Sequence, residues 1–406
     1  MSRRIDIVDA LRGSALFGIL LLHSVEHWDF LHLPEHQPPW LARLDQLSIE
    51  LGYLLFGGKA YAIFALLFGV SFFITLDNWN ARSRNASGRF LWRLAVLGVL
   101  GYLHGLLYCG DILTVIAALG VPLVLLNRLG GRALAAVAVA LLLQPPQWPQ
   151  VLHVLADPSY TPAQPEHWRL YALTDPVFAN GSFGDVLRLN AWTGQAAKWW
   201  WVIETYRYPQ MLGLFVCGLL LGRSGAIQDP PRLRRFALRA LLIGAAGIGV
   251  MLLVRFQVDA LGLQGTRQVV VGGLVNAYAS LAQTAVWAGG FVLLYQWAAM
   301  GTWLRVLVPY GRMSLTCYVT QAVVGVPFFY GFGLGMYRQV GPFYALFFAL
   351  AVFALQCALA HAWLKRYSYG PLEWVWRAAT LRSLQVPMRR RAGEGKAPAQ
   401  AGASAS

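Results

Sequence analysis

Apolar stretches close to twenty residues long recur along almost the whole chain, separated by short clusters of charge, glycine and proline. A helix that crosses a hydrocarbon core needs about 20 residues. That rule predicts spans over 10–27, 59–76, 90–108, 111–127, 132–150, 205–222, 238–256, 276–297, 312–332 and 342–363. The expected fold is therefore all-α, a polytopic transmembrane helical bundle of about ten spans. The run 48–56 is too short to cross and reads as a re-entrant or interfacial segment instead. Between the fifth and sixth spans the prolines from Pro145 to Pro176 are expected to block regular helix over the first half of a long outer loop. Its second half ends in Trp199, Trp200 and Trp201, which suit the headgroup belt, where the ring is apolar and the N–H stays wet. The chain thus divides into one membrane domain over 1–385 and a tail over 386–406. Within the domain lie an N-terminal region (residues 1–143), the outer loop (144–201) and a C-terminal region (202–385). The tail, rich in Arg, Ala, Gly and Ser, is expected to be disordered and cytoplasmic.

Composition makes the membrane reading compulsory. Of the 406 residues 57% are hydrophobic and 13% charged, against roughly 45–50% and about 25% in soluble domains. A formal charge of +15 would suggest nucleic acid in a soluble protein, but here it is explained by sorting between loops. With the N-terminus inside, 24 of the 33 Lys and Arg fall on the inner side, as the positive-inside rule requires. Both termini are then cytoplasmic, the expected location is the inner (plasma) membrane, the expected partner is the lipid bilayer, and no nucleic-acid partner is called for. The first apolar run lacks a small-residue cleavage site and reads as a retained helix. Cys109, Cys217, Cys317 and Cys357 form no close pair, so neither a disulfide framework nor a metal site is expected. A Walker loop, HExxH, GxSxG and CxxC are absent from the sequence, which leaves ATP-driven transport, zinc hydrolysis and serine-hydrolase chemistry without a motif.

The first helix carries the candidate chemistry. Its sequence, RIDIVDALRGSALFGILLLHSVEHW from Arg4, holds titratable groups where a membrane helix rarely admits them. At about 100° per residue Asp9 and His27 eclipse, with His23 and Arg12 on the same stripe. Eleven steps of about 1.5 Å put His23 roughly 16 Å above Arg12. One wall would then separate an anion site at Arg12 from a proton-transfer site at His23, which suits a donor with an anionic head and a slim reactive arm, such as an acyl-CoA. His23 is the candidate general base, oriented by Glu26 or His27. The bland alternative makes Arg12 a positive-inside anchor and the histidines interface residues.

Other groups have paired readings. Asp111 opens a span and either caps it or, with His104, meets an acceptor. Lys59 either snorkels or steers an anionic acceptor. Ser314, Tyr318 and Gln321 share a face after Arg312 and either line a cavity or bond neighbouring helices. Of the inner arginine clusters Arg93 is the candidate second contact for the donor's phosphates, although topology and anionic lipid explain such clusters first. Gly218 and Gly222 have the small-xxx-small spacing of close helix packing.

Arg12 followed by ten residues and His23, within DALRGSALFGILLLH, resembles the first-helix signature of acyltransferase-3 membrane enzymes. The stretches FALLFGVSF at 64–72 with Gly58-Lys59 before it, GYLHGLLYCGDIL at 101–113 and GRMSLTCYVTQ at 311–321 are more similar to the YeiB-like membrane proteins. That domain-of-unknown-function family is grouped with acyltransferase-3 and heparan-alpha-glucosaminide N-acetyltransferase type enzymes. YeiB-like chains often carry Asn where His23 stands, and Cys317 replaces a common Asn. The resemblance implies an integral-membrane acyltransferase that moves an acyl group, expected to be acetyl, from cytoplasmic acyl-CoA (acetyl-CoA) to a hydroxyl or amine of an extracytoplasmic small-molecule or glycan acceptor. A small-solute transporter or channel lined by the same stripe is the alternative.

Overall fold

The computed structural model describes residues 5–80 and 85–389, and these fold as helices joined by turns, with a single backbone bridge, Tyr367 to Arg389. The first half comprises α1 Asp6–Val25, α2 Pro39–Leu55, α3 Ala60–Asn80, α4 Ala86–Leu107, α5 Leu113–Leu126 and α6 Gly131–Leu142. A connecting region follows with α7 Trp148–Ala156, α8 Glu166–Ala172, α9 Asp175–Asn180, α10 Phe183–Leu189 and α11 Gln195–Glu204. The second half comprises α12 Arg207–Arg223, α13 Pro230–Ala260, α14 Gly265–Gln296, α15 Ala298–Leu304, α16 Leu307–Arg312, α17 Ser314–Phe329, α18 Pro342–Arg366 and α19 Pro371–Leu381.

Among the described residues six stretches are long and apolar enough to cross a membrane: α1, the α2–α3 run Pro39–Trp79, α4, α13, α14 and α18. Three apolar helices, α5, α6 and α17, are shorter. Every expected span has its helix, but the edges move for local reasons. The expected span 132–150 stops at Leu142, because Gln144 turns left-handed at φ 55° and Pro145-Pro146 follow. The segment 48–56 is the second half of α2, which begins at Pro39. The connecting region is helical where its prolines were expected to forbid helix. Pro149 and Pro176 sit in the first turns of α7 and α9 and Pro165 precedes α8, positions where the missing N–H is not needed. Of the tail, 386–389 folds back, with Ser368 N–H donating to Met388 O at 2.8 Å; from 390 on, the expected disorder lies outside the described residues.

α1 is the hub, packing on α2, α3, α14, α16, α17 and α18. A second core gathers α3, α4, α5, α6 and α12. There α3 and α12 approach backbone to backbone: a Cβ on Gly218 would lie 2.0 Å from Leu66 O, the close approach that small residues permit. α13 is outermost, and Leu242, Ile243, Leu253 and Phe256 are 60–72% exposed on it. An apolar outer face of that extent faces hydrocarbon better than water.

Candidate functional site

α1 ends at Val25, and the chain then does something rare. His27, Trp28 and Asp29 follow with φ of 50°, 57° and 61°, a left-handed turn that costs about 1–2 kcal/mol per residue. Burial offsets it. Trp28 and Phe30 are 1% exposed, each contributing about 3 kcal/mol, and Tyr330 donates its hydroxyl to Trp28 O at 2.8 Å. The turn brings Asp29 back beside the last turn of α1, so that His23, Glu26 and Asp29 present side-chain atoms within 4.8 Å of one another.

Tyr108, in the extended residue that ends α4, completes the group. Its hydroxyl lies 2.9 Å from His23 Nδ1 and also hydrogen-bonds Asp29. The packing there is close: a Cβ on Gly110 would lie 2.3 Å from both Asp29 Oδ2 and Tyr108 Oη. Glu26 Oε2 is 3.7 Å from the same His23 nitrogen, and Tyr53 donates to Glu26 Oε1 at 2.6 Å. With Nδ1 carrying the proton, His23 donates to Tyr108, which donates to Asp29, and the Nε2 lone pair is left free. That tautomer is inferred from the network. Burial first, and then the Glu26 charge, raises the Asp29 carboxyl to about 6. Burial also holds the Tyr108 hydroxyl well above the ordinary tyrosine range, so it stays a donor.

These groups open on a cavity of about 830 Å³. Behind Tyr108, His104 Nδ1 meets Asp111 Oδ1 at 2.9 Å, both groups buried. Asp111 Oδ2 accepts Thr114 N–H and its hydroxyl, each at 3.0 Å. Lys198 reaches Thr114 Oγ1 at 2.7 Å, with Asp111 Oδ2 at 3.9 Å. Lys59, Arg207 and Ser280 also line the cavity, as do Ile248, Met251 and Leu252 of α13.

The structure therefore gathers His23, Glu26, Lys59 and Asp111 around one space, with His104 holding Asp111 from behind. It separates the others. His27 does not share the His23 stripe, because the helix stops two residues earlier; it is fully buried, stacked 4.5 Å from Phe329, and burial lowers it to about 3. Tyr108, not His27, meets the His23 ring nitrogen. Arg12 lines neither this cavity nor the cleft at the other end of α1; it pairs with Asp9 at 2.7 Å and donates to Ser71 at 3.0 Å. Arg93 lies 3.5 Å over the Trp376 ring, where it docks α19 on α4. Gln321 bonds Tyr310 at 2.7 Å and reaches Leu16 O, so it joins helices, while Tyr318 of the same face reaches the cavity. Asp29, Tyr108, Tyr53, Lys198 and Arg207 were not anticipated. Tyr108 and Asp111 shared one polar block of sequence, the only local signal.

The clustered His23, Glu26 and Asp29 are also close enough to share a cation. The Tyr108 hydroxyl seated between His23 and Asp29 favours a proton relay in the same space.

Residues 221–383 match the family described as "Protein of unknown function (DUF418)". The chain is similar to the uncharacterized protein YxaH of Bacillus subtilis, 25% identical over 95% of this chain and 96% of that one. It is similar also to the uncharacterized protein YeiB of Escherichia coli, 26% identical over 94% and 97%. An uncharacterized 39.9 kDa protein from the amylase 3' region of Bacillus acidopullulyticus is 25% identical over 94% of each. No solved structure matches.

Proposed function

The chain belongs to the YeiB-like family, and we propose that it is an integral-membrane acyltransferase in which His23 takes the proton of an acceptor hydroxyl or amine. The observation that carries this reading is the His23–Tyr108–Asp29 chain at the wall of the cavity, with Nε2 left free. In the step, the acceptor oxygen or nitrogen attacks the thioester carbonyl of an acyl-CoA, expected to be acetyl-CoA. The new C–O or C–N bond forms and the C–S bond breaks. His23 Nε2 removes the acceptor's proton and returns it to the departing thiolate, which leaves as the thiol. The Asp29 charge, relayed through Tyr108, stabilises the imidazolium between those two transfers.

On this reading α5, α6, α12 and α17 complete a bundle of ten spans with the six long stretches, and the Lys and Arg distribution puts both termini in the cytoplasm of an inner (plasma) membrane. The cleft at the start of α1, lined by Arg234, Arg235 and Arg305, is then the cytoplasmic mouth for the donor's phosphates. From Ile7 in that cleft to Ile19 in the cavity α1 climbs about 18 Å, a length suited to the donor's arm. Arg12 sits in that interval, and its exchange of Asp9 and Ser71 for a donor phosphate is the proposed opening event.

The test adds radiolabelled acetyl-CoA to purified protein in detergent and compares wild type, Arg12→Ala and His23→Ala. Saturable binding weakened by Arg12→Ala, with hydrolysis or self-acylation lost in His23→Ala, is expected. Absence of binding well above cellular acetyl-CoA concentrations would sink the mechanism and favour solute flux in proteoliposomes as the next assay.

A further inference from the structure

A second part of the cavity wall is built around positive charge. Lys59 is 5% exposed, and its ammonium donates to Tyr53 O at 2.8 Å. Arg207, the first residue of α12, donates Nη1 to the Tyr61 hydroxyl and to Gln210 Oε1, lies over the Tyr61 and Trp201 rings, and leaves its buried Nε without a partner. Among the described residues neither cation has a carboxylate within 4.0 Å. A buried ammonium beside a half-buried guanidinium, without a counterion for either, is unfavourable unless something anionic joins them.

The backbone leaves room for it. Gly58 adopts φ +78°, and a Cβ there would fall 2.7 Å from Ser280 Oγ and 3.7 Å from Arg207 Nη1. Glycine at this turn therefore keeps open a space bordered by a hydroxyl and a guanidinium. α3 begins two residues later, at Ala60, so the positive end of a 21-residue helix adds to the same spot.

Two cations, a hydroxyl and a helix start match a phosphate. We infer that this part of the cavity holds the phosphate group of the acceptor, an inference that rests on the acyl-transfer reading for the word acceptor but not for the site. The neighbouring wall of Ile248, Met251 and Leu252 belongs to α13, the outermost helix, where Leu252 is 63% exposed. A hydrocarbon chain attached to that phosphate would lie there. The two parts of the cavity wall are one tyrosine apart: the Tyr53 hydroxyl meets Glu26, while its carbonyl meets Lys59. The acceptor's hydroxyl or amine would then be joined to its phosphate through a short polar linker, as in a glycerophosphate or aminoethyl-phosphate headgroup.

The test uses the purified full chain in phosphate-free detergent and follows binding by tryptophan fluorescence. The probes are dioctanoyl-phosphatidylglycerol, inorganic phosphate and uncharged dioctanoylglycerol. Saturable binding of the phosphatidylglycerol is expected, weakened tenfold or more in Lys59→Gln and in Arg207→Gln. It should be kept in Lys59→Arg and in His23→Ala, so the site stands or falls independently of acyl transfer. Phosphatidylglycerol binding tighter than inorganic phosphate assigns a lipid source, and equal binding a free phosphate. Wild-type affinity in both glutamine variants, or dioctanoylglycerol binding as tightly as phosphatidylglycerol, would overturn the inference. Should the glutamine variants not fold, the wild type still decides: a loss of affinity on raising salt from 0.05 to 0.5 M is required.

Discussion

Asp29→Asn should make the protein more stable and less active at once. Burial and the Glu26 charge raise the Asp29 carboxyl from 3.8 to about 6, which corresponds to about 3 kcal/mol at 1.36 kcal/mol per pH unit. The sign follows from where the protons sit. Below about pH 4 the folded and unfolded chains both carry the proton, and the carboxyl imposes no penalty. Between about 4 and 6 the unfolded chain releases it first, so stability falls as pH rises. Above about 6 the full penalty applies, and asparagine removes it while its side-chain oxygen still accepts the Tyr108 hydroxyl. The melting temperature in detergent should therefore be a few °C higher for Asp29→Asn at pH 7.5, with the difference vanishing near pH 4. Turnover should fall all the same, because a neutral amide cannot stabilise the His23 imidazolium. Loss of assisted proton transfer lowers rates about 10²–10⁴-fold, which is about 3–5 kcal/mol of barrier. A merely structural role for Asp29 would lower both quantities together. Wild-type turnover in the variant, or a lower melting temperature at pH 7.5, would refute the relay.

Tyr108→Phe removes the bridge between His23 and Asp29 and should lower kcat about 10–100-fold with the KM for the acyl donor within a factor of two, read in steady-state kinetics. Gly110→Ala places a methyl 2.3 Å from both Asp29 Oδ2 and Tyr108 Oη; activity at least 100-fold down in a protein that still elutes as one species is the expected result. Dialysis against EDTA should leave turnover and melting temperature unchanged, whereas a cation shared by His23, Glu26 and Asp29 would make both fall. Gly218→Leu sets side-chain atoms against the α3 backbone and should destabilise by about 3 kcal/mol or more, visible as a lower melting temperature.

The helices were legible because a span is written in composition, twenty apolar residues at a time. The stripe of α1 expected to form an anion site instead pairs Arg12 with Asp9 one turn away. His23 and Glu26 could be placed, since α1 is regular up to Val25. Beyond that point the wheel misleads. Three left-handed residues swing His27 into an aromatic core and Asp29 into the cavity, and neither has the glycine or asparagine that announces such a turn. The partners that decide the chemistry are distant in sequence: Tyr108 is 85 positions from His23. The prolines of the connecting region were misread because proline forbids the middle of a helix and favours its first turn, and spacing alone does not distinguish the two.

The left-handed turn also sets an order of assembly. Trp28 is held by Tyr330, packs against Phe329 and Phe348, and fills the space that glycine leaves at position 325. Those contacts are synthesised about 300 residues after the turn they stabilise, so a nascent chain exposing only its first half has Tyr108 to meet Asp29 but lacks the packing that holds the turn. The turn is locked when α17 and α18 dock, late in synthesis. Truncated or stalled chains would then carry every residue of the first-helix signature without the packing that sets its turn.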